Sequence, residues 1–357
     1  MNKHSVAIIL TYYGKFPNYF PLWLKSAGAN PSFTFMVFTD IDTSGYNIPP
    51  NVHFHAMTIE EIRQRAAKHL DFEPVLTVPR KLCDYKILYG VIFEDYISGY
   101  DFWGLCDCDL IWGDMGKFIT DDLLDKYGRL YRNGHLQLFR NTEAVRNFAI
   151  HELPYWNISY RDILRTKRYI GLDEYALPTN LFSNFAGVGG GQYYSSNFAD
   201  IRPEIKNFCL IQSNRFFPAV RWKNGKLFVL AIDGNPDRNV EFLYLHIQKR
   251  ALKFTPGLEN EDSFMLIPNE FVKDHELTQD EIQRLMTPDE EYAQEWRKRI
   301  AKKRSLLTRI RNFFVGDTAE KIFHIKARWN TLLGRSLVSR YDQPVYDEEL
   351  YNIASRF

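Results

Sequence analysis

The sequence predicts an α/β protein with a Rossmann-like, mixed but mainly parallel sheet that is flanked by helices. Residues 6–10 form a continuous apolar, β-branched run of the kind that parallel sheets bury. Similar runs follow at residues 33–39 and 52–57. Helical patterns alternate with these runs, and strands that alternate with helices are typical of a parallel sheet.

The amino-terminal part continues this alternation. Helical patterns cover residues 20–27, 58–70 and 80–96. Thr58 and Glu61 form a capping box at the start of the second pattern. Pro79 precedes the third pattern, and proline is favoured in the first turn of a helix. This third helix leads directly into a hydrophobic strand within residues 100–114.

The later part of the chain is more varied. Strands are predicted at residues 134–140 and 241–247, and helices within residues 143–170, 279–286 and 289–305. An Asn224-Gly225 pair between two apolar runs predicts a hairpin over residues 216–232. Residues 180–200 are rich in Asn, Ser and Gly, which is typical of a lid over a substrate or of a plain surface loop.

The composition excludes several classes of protein. The 357 residues suffice for one large or two ordinary domains. Lys and Arg number 45 against 44 Asp and Glu, so the net charge does not indicate a nucleic-acid partner. Four cysteines without a Cys-x-x-Cys pair argue against structural zinc and suit a reducing cytosol. No signal-peptide pattern and no run of 18 apolar residues is found, so we expect a cytoplasmic protein without membrane spans.

The basic segment, residues 297–340, departs from this charge balance. It holds thirteen Lys or Arg against two acids, and apolar and aromatic residues interleave with the bases. Such a segment can lie on an anionic membrane surface, which would make the protein peripheral on the inner face of the cytoplasmic membrane. It fits equally well a helical appendage that packs on the core or on a second subunit. RNA binding is a third reading, which no single-strand-binding motif supports.

Two carboxylates, Asp107 and Asp109, lie between apolar residues within the 100–114 stretch. Residues two apart on a strand face the same way. Two acids aimed at one point are unfavourable unless a cation or hydrogen bonds meet them. The pattern therefore indicates either an Asp-x-Asp metal site or an acidic turn at the end of a strand. Cys108 faces the other side of the strand and need not touch the metal.

The order of these elements resembles that of the GT-A nucleotide-sugar glycosyltransferases. A strand that ends near Tyr12 precedes a strand that ends on Asp40, and a late strand ends in His246-x-x-Lys249. More narrowly, residues 81–86 and 99–114 are similar to segments of bacterial enzymes of O-antigen or capsule synthesis. The resemblance covers roughly residues 5–255.

The resemblance implies a role for each matching residue. Asp109 and His246 would bind Mn²⁺ or Mg²⁺, and Asp107 would contact the same metal site and the ribose or donor sugar. The UDP-sugar donor would lie beside a set of residues from several loops, namely Thr11, Tyr12, Tyr13, Asp40, Arg80, Lys81, Asp84, Asp107 and Lys249. Open α/β sheets bind ligands at the carboxyl ends of their strands, in agreement with these positions. For His246, a structural histidine at a strand end remains the alternative.

An inverting enzyme also needs a carboxylate that deprotonates the acceptor hydroxyl. Asp173 and Glu174 are the first candidates, because they open an element in the region where acceptor-side residues usually lie. Glu152 and Asp162 are weaker candidates. The alternative for the acidic pair is the first turn of a helix, where the helix dipole stabilises acids. A retaining enzyme would need no such base.

Taken together, the resemblance implies a metal-dependent glycosyltransferase. It would move a hexose, by analogy galactose in pyranose or furanose form, from a UDP-sugar to a growing, lipid-linked bacterial polysaccharide. Residues 1–130 would bind the nucleotide sugar, residues 131–255 would form the acceptor side, and residues 256–357 would be a helical extension. Two other classes stay open: a nucleotidyl or phosphoryl transferase, which the single glycine of the loop 11–14 disfavours, and a non-catalytic glycan-binding scaffold.

Overall fold

The computed structural model describes residues 3–147, 160–167, 169, 171–172, 191–193, 195–248, 250–304, 321, 322, 325 and 329. The strands are β1 (Val6–Thr11), β2 (Phe33–Thr39), β3 (Val52–Ala56), β4 (Phe102–Cys106), β5 (Leu110–Trp112), β6 (Tyr127–Asn133), β7 (Leu136–Arg140), β8 (Gly191–Tyr193), β9 (Ala199–Asp200), β10 (Phe208–Cys209), β11 (Phe216–Phe217), β12 (Ala219–Lys223), β13 (Lys226–Leu230), β14 (Val240–Phe242), β15 (Tyr244–His246), β16 (Ser263–Ile267) and β17 (Glu270–Lys273). The α-helices are α1 (Phe20–Gly28), α2 (Ile59–Ala67), α3 (Tyr89–Ile92), α4 (Glu94–Ile97), α5 (Met115–Phe118), α6 (Asp121–Lys126), α7 (Glu143–Asn147), α8 (Tyr160–Leu164), α9 (Gln279–Met286) and α10 (Glu290–Arg304).

The largest sheet in the described part of the chain has the strand order β3-β2-β1-β4-β7-β6-β8. Its first four strands are parallel, and β7 is antiparallel to both of its neighbours. Side chains of β1 alternate between two buried apolar clusters, with Ile9 in one and Ile8 in the other. Helices cover both faces, because α1 packs into the second cluster and α2 into the first. The predicted α/β architecture with a mixed, mainly parallel sheet between helices is confirmed.

An antiparallel sheet with the order β14-β13-β12-β16-β17 lies beside it. Its central hairpin turns at Asn224 and Gly225, whose φ angles of 49° and 80° are left-handed, as a type I′ turn requires. The prediction of a helical extension over residues 256–357 is wrong for the first part of this range. Residues 263–273 form two strands there, because Phe264 and Phe271 pack into the apolar core beneath the sheet. The helical extension begins with α9.

A small sheet with the order β5-β15-β9 joins the two larger ones. β15 is antiparallel to β5 and parallel to β9. The indole Nε1–H of Trp222, on β12, donates to the carbonyl oxygen of Trp112 on β5 at 2.9 Å. Because β5 follows β4 after only three residues, this sheet brings β15, from late in the chain, next to the predicted Asp-x-Asp motif.

The region predicted as one helix over residues 80–96 is divided. A 3₁₀ helix covers Pro79–Leu88, and the two short helices α3 and α4 follow it. In a 3₁₀ helix the side chains at i and i+3 eclipse each other. Lys81 and Asp84 have this spacing, and they form a fully buried ion pair with an Nζ–Oδ2 distance of 2.8 Å. A buried ion pair therefore accompanies the tighter helix.

Two strands also differ from their prediction. The strand predicted over residues 241–247 is divided between β14, which pairs with β13, and β15, which pairs with β5. The strand β6 was not predicted, because its sequence Tyr-Gly-Arg-Leu-Tyr-Arg-Asn lacks a clear apolar alternation. Its Arg129 is fully buried and donates to Gln137 at 2.9 Å.

The last continuous stretch of described residues, 250–304, ends with the helices α9 and α10. α9 begins with a complete capping box formed by Thr278 and Glu281. The basic segment lies within the described residues only as far as Arg304 and at four single positions beyond it. Within the described residues, no helix combines the length and the apolar character that crossing a bilayer requires.

Candidate metal centre

The two acids of the Asp-x-Asp motif follow the carboxyl end of β4 directly. The side chains of Asp107 and Asp109 are 32% and 28% exposed. Cys108 between them is buried in the apolar cluster that α1 covers. The motif therefore presents both carboxylates on one side and packs the intervening thiol on the other.

His246 is the last residue of β15 and pairs with Leu110 on β5. This register places its Nε2 atom 3.6 Å from Oδ1 of Asp109. One potential ligand atom from each of Asp107, Asp109 and His246 lies within 4.8 Å of the others. We refer to this candidate metal site as the metal centre. Residues that lie more than 130 positions apart in the sequence thus meet at the carboxyl edge of the parallel sheet.

Asp200, at the end of β9, determines the orientation of the His246 ring. Its Oδ1 atom lies 2.9 Å from Nδ1 of His246 and also accepts a hydrogen bond from Nε2 of Gln248 at 2.7 Å. A carboxylate on Nδ1 leaves Nε2 directed to the Asp-x-Asp motif. Metal-binding histidines almost always have such a partner on the nitrogen that does not bind the metal.

The charge of His246 follows from these neighbours. Burial disfavours the charged ring, but the carboxylates of Asp109 and Asp200 outweigh burial and raise the pKa of His246 to about 10. The ring of His246 therefore favours its protonated form between the carboxylates of Asp109 and Asp200. A divalent cation at the centre would replace the proton, because histidine binds metals through its neutral ring.

His135 lies behind the metal centre. Its ring stands 4.2 Å from the ring of His246, and its Nδ1 atom is 2.8 Å from the hydroxyl oxygen of Tyr244. Burial, followed by the neighbouring charges of His246 and Lys86, lowers the pKa of His135 well below its ordinary value. With Asp200 and His246 it forms a second group of side chains that could hold a metal ion, but a deeper one.

Lys86 balances the charge of Asp107. Its Nζ atom lies 2.6 Å from Oδ1 of Asp107 and donates to the carbonyl oxygen of Gly134 at 2.7 Å. The lysine is almost fully buried, whereas Asp107 keeps exposed surface. One oxygen of Asp107 is therefore engaged by a cation of the protein itself.

The residues predicted for the nucleotide lie at neighbouring strand ends. The backbone N–H of Tyr12 donates to the carbonyl oxygen of Phe38 at 3.0 Å, which places the ends of β1 and β2 side by side. Burial, with smaller contributions from Cys108 and Asp109, raises the pKa of Tyr12 to about 12. Thr11 contacts the hydroxyl of Tyr89, and Asp40 is exposed at the end of β2.

Other predicted residues have their own partners. The hydroxyl of Tyr13 donates to the carbonyl oxygen of Met57 at 2.9 Å. The guanidinium of Arg80 is exposed and lies 4.7 Å from the ring centre of Tyr169. Lys81 donates to the carbonyl oxygen of Ile163 and pairs with Asp84, both side chains being fully buried. The predicted contact of these residues with the donor stays a prediction.

Four predicted residues cannot be placed. Lys249, the candidate bases Asp173 and Glu174, and the weaker candidate Glu152 lie outside the described residues. The other weak candidate, Asp162, lies on α8.

Sequence reasoning missed His135 and Asp200, and it assigned no role to Lys86. β9, which carries Asp200, is only two residues long, so no periodicity could reveal it. Lys86 lies in the stretch 81–86 that supports the resemblance, and its place in that stretch could have indicated a role at the site.

The metal centre fits a divalent cation. Two carboxylates and one oriented imidazole offer oxygen and nitrogen ligands, and their partial exposure leaves room for water or a ligand oxygen. Mn²⁺ and Mg²⁺ prefer such oxygen-rich sites.

The sequence matches the profile of one protein family over residues 8–275, which is most of the chain. This family is described as "Family of unknown function (DUF6625)". The chain belongs to DUF6625. The region shared with DUF6625 includes the metal centre and ends just after β17, before α9.

None of the curated proteins compared with this DUF6625 member matches it in sequence. Among solved structures, it is similar to the galactosyltransferase LgtC in complex with donor and acceptor sugar analogs. The identity is 14%, the match covers 55% of this chain and 76% of that chain, and the TM-score is 0.28. These values are too low to bear on the activity of the DUF6625 chain.

Proposed function

We propose that this chain is a metal-dependent glycosyltransferase that transfers a hexose, by analogy galactose, from a UDP-sugar to a growing bacterial surface glycan. One observation carries the proposal. Asp107, Asp109 and His246 converge at the carboxyl edge of a parallel sheet, where open α/β proteins bind nucleotides.

Each residue of the metal centre and its neighbours has a separate role. Asp109 and Nε2 of His246 hold Mn²⁺ or Mg²⁺, and Asp200 keeps His246 in the orientation that this requires. When bound, the cation neutralises the negative charge that develops on the departing diphosphate. Lys86 binds Oδ1 of Asp107 and so holds this carboxylate in place. The second carboxylate oxygen of Asp107 is then left for the metal or the donor sugar.

The nucleoside binds beside the metal centre. Tyr12 and Asp40, at the adjoining ends of β1 and β2, line the position for the base and the ribose. Lys249, three residues after His246 in the sequence, contributes a positive charge to the diphosphate. If the reaction inverts the anomeric carbon, Asp173 or Glu174 deprotonates the acceptor hydroxyl.

The test combines binding and turnover. The full chain is incubated with Mn²⁺ and a panel of UDP-sugars, and both thermal stabilisation and UDP release are measured. We expect UDP with Mn²⁺ to raise the melting temperature, and at least one UDP-sugar to release UDP. Asp109→Asn should abolish both effects, whereas Asp122→Asn, an exposed carboxylate on α6, should retain them.

Two results would contradict the proposal. One is the absence of any thermal shift with every nucleotide in the presence of Mn²⁺. The other is an Asp109→Asn variant that responds to UDP and Mn²⁺ as the parent protein does.

A further inference from the structure

The ring of His246 lies between two groups of potential metal ligands. Its Nε2 atom is 3.6 Å from Asp109, which belongs to the metal centre, and its Nδ1 atom is 2.9 Å from Asp200. One ligand atom from each of His135, Asp200 and His246 also lies within 4.8 Å of the others. We call these three residues the inner cluster. It contains two imidazoles and one carboxylate, whereas the metal centre contains two carboxylates and one imidazole.

Strands and a tight turn hold the inner cluster in place. Asp200 ends β9 and His246 ends β15, and the parallel register of these strands pairs the two residues directly. His135 lies in the turn between β6 and β7, and its carbonyl oxygen accepts a hydrogen bond from the backbone N–H of Asp107 at 3.2 Å. The side chains of the inner cluster are 8% to 14% exposed. The inner cluster therefore lies deeper than the acids of the metal centre.

Two members of the inner cluster also have hydrogen-bond partners that fix their orientation. Nδ1 of His135 is 2.8 Å from the hydroxyl oxygen of Tyr244, and Nε2 of His135 faces Oδ2 of Asp200. The other oxygen of Asp200, Oδ1, accepts a hydrogen bond from Nε2 of Gln248 at 2.7 Å. Histidines and carboxylates that bind metals typically have such outer partners. The inner cluster therefore resembles a metal site in its second layer as well as in its ligands.

The distance between His135 and Asp200 suits a shared cation. Nε2 of His135 and Oδ2 of Asp200 are 4.0 Å apart, which is too long for a hydrogen bond. Zinc binds such atoms at about 2.0–2.2 Å, so two ligands of a tetrahedral site lie roughly 3.3–3.6 Å apart. The two side chains would thus approach each other by roughly half an ångström on binding zinc. Lys86 lies nearby, but the carboxylate of Asp107 balances its charge.

We propose that His135, Asp200 and His246 bind Zn²⁺ at a second site, and that this binding excludes Mn²⁺ from the metal centre. Imidazole nitrogens suit zinc, whereas Mn²⁺ and Mg²⁺ prefer oxygen-rich sites. Two histidines and one acid are also a known ligand set of zinc enzymes. The exclusion follows from His246, because a neutral imidazole has a lone pair on only one of its nitrogens. The ring can therefore serve one cation at a time.

The zinc site would act as an inhibitory site for any activity that needs a cation at the metal centre. In each state of His246, the acid on the other side of the ring accepts its N–H: Asp200 when Nε2 binds a cation, and Asp109 when Nδ1 does. The exclusion rests on the proposed Mn²⁺ site, whereas the zinc site itself does not.

Titration calorimetry tests the two sites separately. The full chain is freed of metal with a chelator and titrated with Zn²⁺ or with Mn²⁺. His135→Asn removes a ligand but keeps a partner for the hydroxyl of Tyr244, so it should weaken Zn²⁺ binding at least about tenfold and leave Mn²⁺ binding unchanged. Asp109→Asn should do the reverse. His69→Asn, at an exposed histidine after α2, is the matched control and should bind both ions as the parent does.

Electron paramagnetic resonance tests the exclusion, because it detects Mn²⁺ and not Zn²⁺. One equivalent of Zn²⁺ should release Mn²⁺ from the parent protein but not from His135→Asn. Circular dichroism checks that each variant is folded. If His135→Asn does not fold, Tyr244→Phe decides, since it removes only the hydroxyl that contacts His135 and should weaken Zn²⁺ binding about ten- to a hundredfold with Mn²⁺ binding unchanged.

Three results would overturn the proposal. The first is Zn²⁺ binding that His135→Asn and Tyr244→Phe leave unchanged. The second is an Asp109→Asn variant that loses Zn²⁺ together with Mn²⁺, which would place zinc in the metal centre. The third is a parent protein that keeps its Mn²⁺ when Zn²⁺ is bound. If the parent binds no Mn²⁺ but its Zn²⁺ binding depends on His135, the zinc site is supported and the proposed transferase function fails.

Discussion

The orientation of one imidazole ring decides whether His246 can take part in a metal site. Asp200 engages Nδ1, so Nε2 faces Asp109. We predict that Asp200→Asn weakens Mn²⁺ binding about ten- to a hundredfold, the usual effect of losing such a partner. Titration calorimetry with Mn²⁺ measures this directly. Asp122→Asn should bind Mn²⁺ as the parent does, and an equal affinity of the Asp200 variant would refute the assignment.

His135 links the stability of the metal-free protein to pH. Its pKa is lowered well below the ordinary value, mainly by burial. At a pH below about 6.5 the unfolded chain therefore binds a proton at this histidine that the folded protein does not. Stability is fully present above about pH 6.5 and is lost as the pH falls, by at most about 1.4 kcal/mol per pH unit.

The variant His135→Asn tests this dependence, because its amide can still bond to the hydroxyl of Tyr244. Urea unfolding in the presence of a chelator, from about pH 7.5 down to about pH 5, should show a shallower loss of stability in the variant. Equal slopes for variant and parent would contradict the prediction.

At the scale of elements, the 3₁₀ helix Pro79–Leu88 encloses the Lys81–Asp84 ion pair. Asp84→Asn keeps an acceptor for the backbone N–H groups of Gly171 and Leu172 but removes the charge opposite Lys81. We expect a loss of about 3–5 kcal/mol in the free energy of unfolding, because the substitution breaks a fully buried ion pair.

The double variant Lys81→Met with Asp84→Asn should recover part of this loss, since it replaces both members of the buried ion pair by neutral side chains. Urea unfolding measures both variants. If Asp84→Asn lost nucleotide binding at unchanged stability, the pair would belong to the donor site, as the resemblance implies, and would not have the stabilising role predicted here.

For several elements, the local sequence pattern was enough to predict the structure. The apolar run of β1, the capping box of α2 and the Asn224-Gly225 turn were predicted correctly, since each depends on neighbouring residues alone. β6 was missed because its mixed sequence lacks a clear alternation, and β9 because it has only two residues; both form against partner strands.

At the scale of the whole molecule, the basic segment 297–340 is the candidate for membrane binding, and packing on the core or on a second subunit is its alternative. Its first residues form the second half of α10. We predict that the full chain sediments with vesicles that contain anionic lipid, but not with neutral phosphatidylcholine vesicles, and that salt weakens this association. Deletion of residues 297–357 should abolish it, and unchanged sedimentation of the deletion variant would refute the membrane role.

The sequence by itself determined the α/β class, the hairpin and the Asp-x-Asp candidates, because periodicity and turn chemistry act over a few residues. Only the tertiary structure decided that Asp107 and Asp109 meet His246, that Asp200 orients its ring, and that Lys86 faces Asp107. These contacts join residues far apart in the chain, and the register of β5, β15 and β9 creates them. No local pattern contains that register, since pairing between distant strands depends on the packing of the whole sheet.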